Sequence, residues 1–192
     1  MIRTLFEKTC RDHIHAVEKS FTSSQLNTLE AISRELIKCL KDGRKIMLCG
    51  NGGSASDSQH IAAEFVGRFH RERRALPAIA LTADTSIITA VANDYQYEDI
   101  FARQVEALGQ AGDALIAIST SGNSKNVLSA VEKANEMQIL TLGFTGEEGG
   151  RLAKKCKFAF RAASALTPHI QEVHITVLHA ISEVIEKILF GS

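Results

Sequence analysis

Residues 114–118, Ala-Leu-Ile-Ala-Ile, form an unbroken aliphatic run that ends abruptly in Ser119-Thr120-Ser121-Gly122-Asn123-Ser124. The run has the length and branching of a strand buried on both faces. Beyond it, Val127, Leu128, Val131 and Ala134 recur at helical spacing. A doubly buried strand that turns straight into a helix restricts the chain to folds in which helices cover both sides of a sheet. The connecting loop holds four hydroxyl residues and a glycine. Hydroxyls donate hydrogen bonds, Gly122 lets the backbone approach a ligand, and a helix start adds unpaired N–H groups at the positive end of a dipole. One serine suffices to cap a helix; four hydroxyls exceed that need, and the loop reads as an anion site.

The same grammar recurs along the chain. Strands are expected at 45–49, 78–81, 114–118 and 139–144, with a short fifth at 158–160. Helices are expected from the glycine turn after residue 49 through Arg68, then over 85–92, 97–108, 124–136, 148–155 and 168–189. Alternation of this kind predicts an α/β fold: a five-stranded parallel sheet with right-handed crossovers, flanked by helices on both faces. Two amphipathic helices come first, over 2–20 and then from a cap at Ser23 or Ser24 to a close at Asp42-Gly43. Residues 1–192 therefore read as a single domain, a helical pair over 1–42 and an α/β core over 43–192 with a long C-terminal helix. That last helix is apolar around most of its circumference, which predicts burial on more than one side and an oligomer.

Composition narrows the class. Hydrophobic residues make up 45% and charged residues 23% of the 192, as in ordinary globular proteins. Lys plus Arg equals Asp plus Glu at 22 each, so no net field draws the chain to nucleic acid or to an anionic membrane. No apolar stretch has the length of a membrane span and the N-terminus lacks a signal-peptide pattern, so a cytoplasmic protein is expected. Cys10, Cys39, Cys49 and Cys156 are scattered without a C-x-x-C pair and read as reduced small hydrophobes.

A second glycine turn, Gly50-Asn51-Gly52-Gly53-Ser54, follows the first strand. It lacks the dinucleotide spacing G-x-G-x-x-G and the Gly-Lys-Ser/Thr of a Walker loop, so the two loops together suit a sugar phosphate. Downstream, His60 and Glu64 stand four apart on one helix face, able to share a metal or a proton or, more plainly, to form an ion pair. Asn93-Asp94 interrupts an apolar stretch; it serves either as a helix end and turn or as a grip on substrate hydroxyls. The last helix carries Gln171, Glu172, His174 and His179, whose histidines are either core residues or ligands.

Taken in order, Gly50 to Ser54, His60 with Glu64, Asn93-Asp94, Ser119 to Ser124, and Ile170-Gln171-Glu172 with His179 resemble the bacterial phosphoheptose isomerases of the sugar-isomerase (SIS) fold. The resemblance covers essentially the whole chain. It implies conversion of sedoheptulose 7-phosphate to D-glycero-D-manno-heptose 7-phosphate, for ADP-heptose and lipopolysaccharide synthesis, by a cytoplasmic homotetramer with one zinc per subunit. It assigns His60, Glu64, Gln171 and His179 to the metal. It assigns Asn51, Gly52, Gly53, Glu64, Asn93, Asp94, Ser119, Thr120, Ser121, Ser124 and Gln171 to the substrate, with Glu64 as general base and His179 as acid. Pro168 stands where many relatives carry an acid, and Gln96 where glycine is frequent.

The chemistry agrees with that assignment. Moving a carbonyl between neighbouring carbons requires a base for a carbon-bound proton and stabilisation of the enediolate charge. One feature of the spacing complicates the metal set. Gln171 and His179 are eight residues apart, roughly 12 Å on an unbroken helix. Either the helix begins after Gln171, or the two residues serve one ion from different subunits; the apolar last helix favours a site shared between subunits of the homotetramer. The chain also resembles an adaptor that binds the bacterial replication initiator, through Ala107-Leu108-Gly109-Gln110 and the Leu189-Phe190-Gly191 ending, while Thr167-Pro168 and Gly143-Phe144-Thr145-Gly146 favour the isomerase branch. A sugar-phosphate-sensing transcription regulator would need a basic recognition helix, and none is present in the sequence.

Overall fold

Ile46 and Leu48 face one side of β1 (Ile46–Gly50) and Met47 and Cys49 the other, and all four are fully buried. β3 (Ala114–Ile118) divides in the same way, with Ala114, Ile116 and Ile118 in one core and Leu115 and Ala117 in the second. The sheet is thus a wall between two apolar layers, which is why its strands are continuously hydrophobic. The structure, a computed structural model, describes residues 1–191. Strands β2 (Ala78–Ala80), β4 (Leu140–Thr145) and β5 (Phe158–Arg161) complete a five-stranded parallel sheet in the order β2-β1-β3-β4-β5.

One face carries α2 (Ser23–Lys41), α3 (Gly53–Val66) and α8 (Thr167–Phe190). The opposite face carries α5 (Ala102–Leu108), α6 (Lys125–Glu136) and α7 (Leu152–Lys155). α1 (Ile2–Ser20) packs against α8 and leaves Ile2, Leu5, Phe6 and Ile14 exposed. Among the described residues no helix is long and apolar enough to cross a membrane. The four cysteines are free; burial pushes the Cys39 and Cys156 thiols up to about 12.

Several element boundaries differ from expectation, each for a local reason. Thr22, rather than Ser23 or Ser24, caps α2, accepting a hydrogen bond from the Gln25 N–H at 3.3 Å. The helix expected over 148–155 shrinks to Leu152–Lys155, because Gly149 and Gly150 take φ of +74° and +55°, outside the right-handed helical region. The expected helix over 97–108 breaks into a 3-10 turn (Tyr97–Asp99) and α5, with the adjacent, buried Ile100 and Phe101 at the break. Helix α3 ends at Val66, two residues before Arg68. Asn93 and Asp94 are the expected helix end, forming the last residues of α4 (Thr85–Asp94), which runs two residues past the expected 92.

His174 on α8 is fully buried against the Phe144 ring. Its Nε2 donates to the Thr145 carbonyl at 3.0 Å, and its Nδ1 is buried without a partner. Burial holds its pKa down at about 4, against the opposing pull of the Thr145 bond, so the folded ring stays neutral. Between pH 6.5 and 4 the unfolded chain takes up a proton that the folded chain refuses. Stability from this residue is therefore complete above the unfolded value and falls as pH falls, by about 3 kcal/mol at pH 4. Urea unfolding at pH 7 and pH 4.5 will show a smaller acid loss in His174→Asn than in the unmodified chain; equal losses would refute the assignment.

Candidate active site

Chain direction reverses across the sheet between β1 and β3: from β1 the chain moves outward to β2, and from β3 it moves the other way to β4 and β5. Strand ends diverge at such a point and leave a crevice beyond their carboxyl termini. Gly50 pairs with Ile118, so the turn after β1 and the hydroxyl loop after β3 emerge side by side. The turn requires its glycines. A Cβ on Gly50 would lie 2.8 Å from Ser54 Cβ, and Gly52 adopts φ +57°. Between them, Asn51 exchanges two 2.8 Å hydrogen bonds with the Asn126 amide of α6. The Tyr97 hydroxyl donates to Asn51 Oδ1 at 3.2 Å.

The hydroxyl loop is braced along its backbone. Gly146 N–H donates to the Thr120 carbonyl and Leu152 N–H to the Gly122 carbonyl, both at 2.9 Å. Behind the loop the backbone is stacked on glycine. A Cβ on Gly122 would fall 2.3 Å from the Gly149 carbonyl oxygen, and one on Gly150 2.6 Å from that of Gly122. Asn123 closes the contact: its Nδ2 donates to the Ser121 carbonyl at 2.9 Å and its Oδ1 accepts from Arg151 N–H at 3.1 Å. Ser124 is the N-cap residue of α6, yet its hydroxyl makes no cap bond and pairs with Ser119 Oγ at 2.9 Å. Simple helix capping therefore does not account for the serines.

On α3 and α8 three side chains converge. His60 Nε2 lies 3.2 Å from Glu64 Oε1 and 3.0 Å from His179 Nε2, and one ligand atom from each residue lies within 4.8 Å of the others. Two imidazole nitrogens and a carboxylate oxygen are the donor set of a divalent transition metal such as zinc. Burial and the neighbouring His60 lower the pKa of His179, with Glu64 opposing, which favours the neutral, ligating imidazole. The Phe69 ring closes over His179 at 5.8 Å between centroids.

All three residues belong to one chain. Gln171 does not join them: its Nε2 lies 2.5 Å from where a Cβ on Gly53 would stand, at the opposite end of α3. α8 runs unbroken through both Gln171 and His179, so the alternative of a helix beginning after Gln171 is overturned. Asn93 and Asp94 are exposed, joined to each other by a 2.8 Å bond, and among the described residues neither bonds to the two loops. His174 belongs to the core. Sequence reasoning passed over Asp57, whose Oδ2 is buried without a partner and whose pKa burial raises, with His60 opposing. Its position three residues before His60, on the face shared by Gly53 and Glu64, was the available signal.

The SIS domain model matches residues 10–146. The phosphoheptose isomerase of Clostridium acetobutylicum is 48% identical over 191 residues, which is 99% of this chain and 97% of that protein. The solved phosphoheptose isomerase of Neisseria gonorrhoeae is 37% identical with a TM-score of 0.92, covering 97% of this chain and all of that one. That of Francisella tularensis is 34% identical with a TM-score of 0.93, covering 97% and 99%. The replication-adaptor reading gains nothing from these matches. With sheet, loops and length all in agreement, the chain belongs to the SIS domain family.

Proposed function

We propose that this chain is a phosphoheptose isomerase, interconverting sedoheptulose 7-phosphate and D-glycero-D-manno-heptose 7-phosphate. The observation that carries the reading is the convergence of His179 of α8 with His60 and Glu64, which stand on the helix that starts from the glycine turn beside the hydroxyl loop. Gly53 and His60 are seven residues apart on α3, roughly 10 Å of helix axis. Such an offset separates a gripped phosphate from a distant reacting carbonyl, as a long-chain sugar phosphate requires.

In this reading Ser119, Thr120, Ser121, Ser124 and the start of α6 hold the phosphate. Asn51, Gly52, Gly53, Asn93, Asp94 and Gln171 orient the sugar hydroxyls. Glu64 removes a proton from C1 of the ketose and returns it to C2, while His179 gives a proton to O2 and takes one back from O1. His60, Glu64 and His179 would hold one zinc per subunit, with Gln171 supplied by a second copy. When bound, the metal contributes Lewis-acid polarisation of the carbonyl. Glu64 thus serves as ligand and base in turn.

An apolar groove of about 740 Å³ between α2 and α8, lined by Leu26, Leu29, Ile37, Val177, Val184 and Ile188, supports assembly into a homotetramer. Val184 and Ile188 stand 44% and 60% exposed in the single chain. The cellular setting proposed is the cytoplasm, supplying heptose for ADP-heptose and lipopolysaccharide synthesis.

Three outcomes test this reading. The purified chain will turn over sedoheptulose 7-phosphate, activity will be lost with chelator, and Glu64→Gln will lower kcat by about a hundredfold or more; absence of turnover by the unmodified, metal-loaded chain defeats it. Mixing inactive Glu64→Gln and Gln171→Ala chains will restore one intact site per pair if Gln171 acts across an interface, whereas a mixture that stays dead removes a second copy's Gln171 from the site. Asn123→Ala, which unclasps the hydroxyl loop, will raise KM about tenfold with kcat nearly kept, the loss of roughly one to two hydrogen bonds. An unchanged KM would remove the loop from phosphate binding.

A further inference from the structure

Glu186 of α8 and Arg73 of the loop after α3 form an ion pair at 3.0 Å whose side chains are 3% and 2% exposed. The Glu186 carboxylate also accepts the backbone N–H groups of Phe69 at 3.2 Å, His70 at 2.9 Å and Arg71 at 3.1 Å. Burial alone would raise its pKa; the bonds from His70, Phe69 and Arg73 outweigh burial and keep it low. Arg73 uses its other N–H groups on carbonyls at the end of α3: Glu64 at 2.7 Å, Phe65 at 2.9 Å and Gly67 at 3.3 Å. The Phe190 ring packs beneath its guanidinium at 5.7 Å.

Buried ion pairs are poor stabilisers, because desolvation offsets the attraction and apolar replacements are often as stable. Four donors on one carboxylate instead fix a geometry. The pair crosslinks two specific places. Arg73 grips the carbonyl of Glu64, whose side chain belongs to the triad. Glu186 lies seven residues beyond His179, two turns along the same helix face. It also anchors the N–H of Phe69, the ring that covers His179.

We propose that Glu186 and Arg73 are positioning residues that set the separation of α3 from α8 and so hold His60, Glu64 and His179 within ligating distance. Neither touches substrate or metal, and the inference rests on the metal-dependent isomerase reading for its catalytic consequence.

The test uses the full chain with Glu186→Gln and, as a variant of similar volume expected to fold, the paired Arg73→Met and Glu186→Leu. In metal-free protein the nuclear Overhauser cross-peak between the His60 and His179 imidazole protons, whose rings are 4.9 Å apart, will weaken by more than half. Cobalt(II) affinity, read from its visible spectrum, will fall about tenfold or more, and kcat will fall while KM stays within about twofold. A folded variant with the cross-peak and cobalt affinity of the unmodified chain overturns the proposal. An unmodified chain with neither cobalt spectrum nor turnover defeats the isomerase reading instead, and the imidazole cross-peak still decides whether the pair positions the rings.

Discussion

The parallel pairing of β1 with β3, from Ile46 against Ala114 to Gly50 against Ile118, places the site. The connections after those two strands lead to opposite edges of the sheet, so one crossover cannot cover both carboxyl ends. The gap is filled by two short loops whose contents are backbone amides, hydroxyls and the starts of α3 and α6. Each helix then carries its side chains away from the crevice at a fixed rise. α3 brings His60 and Glu64 to a place about two to three turns from its start, where α8 meets it with His179. Slippage of β1 against β3 by one residue would move both loops and both helices.

Much of this organisation is written in local patterns. The aliphatic strands, the hydroxyl loop and the four-residue spacing of His60 and Glu64 are readable because burial, helix geometry and turn chemistry act over a few residues. What escaped reading depends on distance along the chain. Arg73 and Glu186 are 113 residues apart, and nothing in either neighbourhood announces the other. The Asn123 clasp needs the fold to bring Arg151 to it. The short α7 has a different cause: only the fold reveals the positive φ of Gly149 and Gly150 and the close approach of Gly150 to Gly122.

Polar groups inside this molecule divide into two kinds. His174 keeps one nitrogen unpaired and tolerates no charge, so it acts as a shaped, neutral core residue. Glu186 is charged and surrounded by donors. Asp57 stands between these cases, with one buried oxygen unpaired beside the triad helix face. Buried polar atoms without partners collect at strained or functional places, and Asp57 sits three residues before His60 on the same helix.

The glycine-on-glycine contact behind the hydroxyl loop also limits how this scaffold can be altered. Because Gly122 and Gly150 meet main chain to main chain, the seat of the hydroxyl loop is set by two peptide planes and admits no graded adjustment. A larger methyl-bearing residue at either place would push the loop forward as a unit. Any change in the polar groups that the loop presents would therefore have to proceed through the identities of residues 119, 120, 121 and 124, leaving the curvature of the strap beneath them untouched.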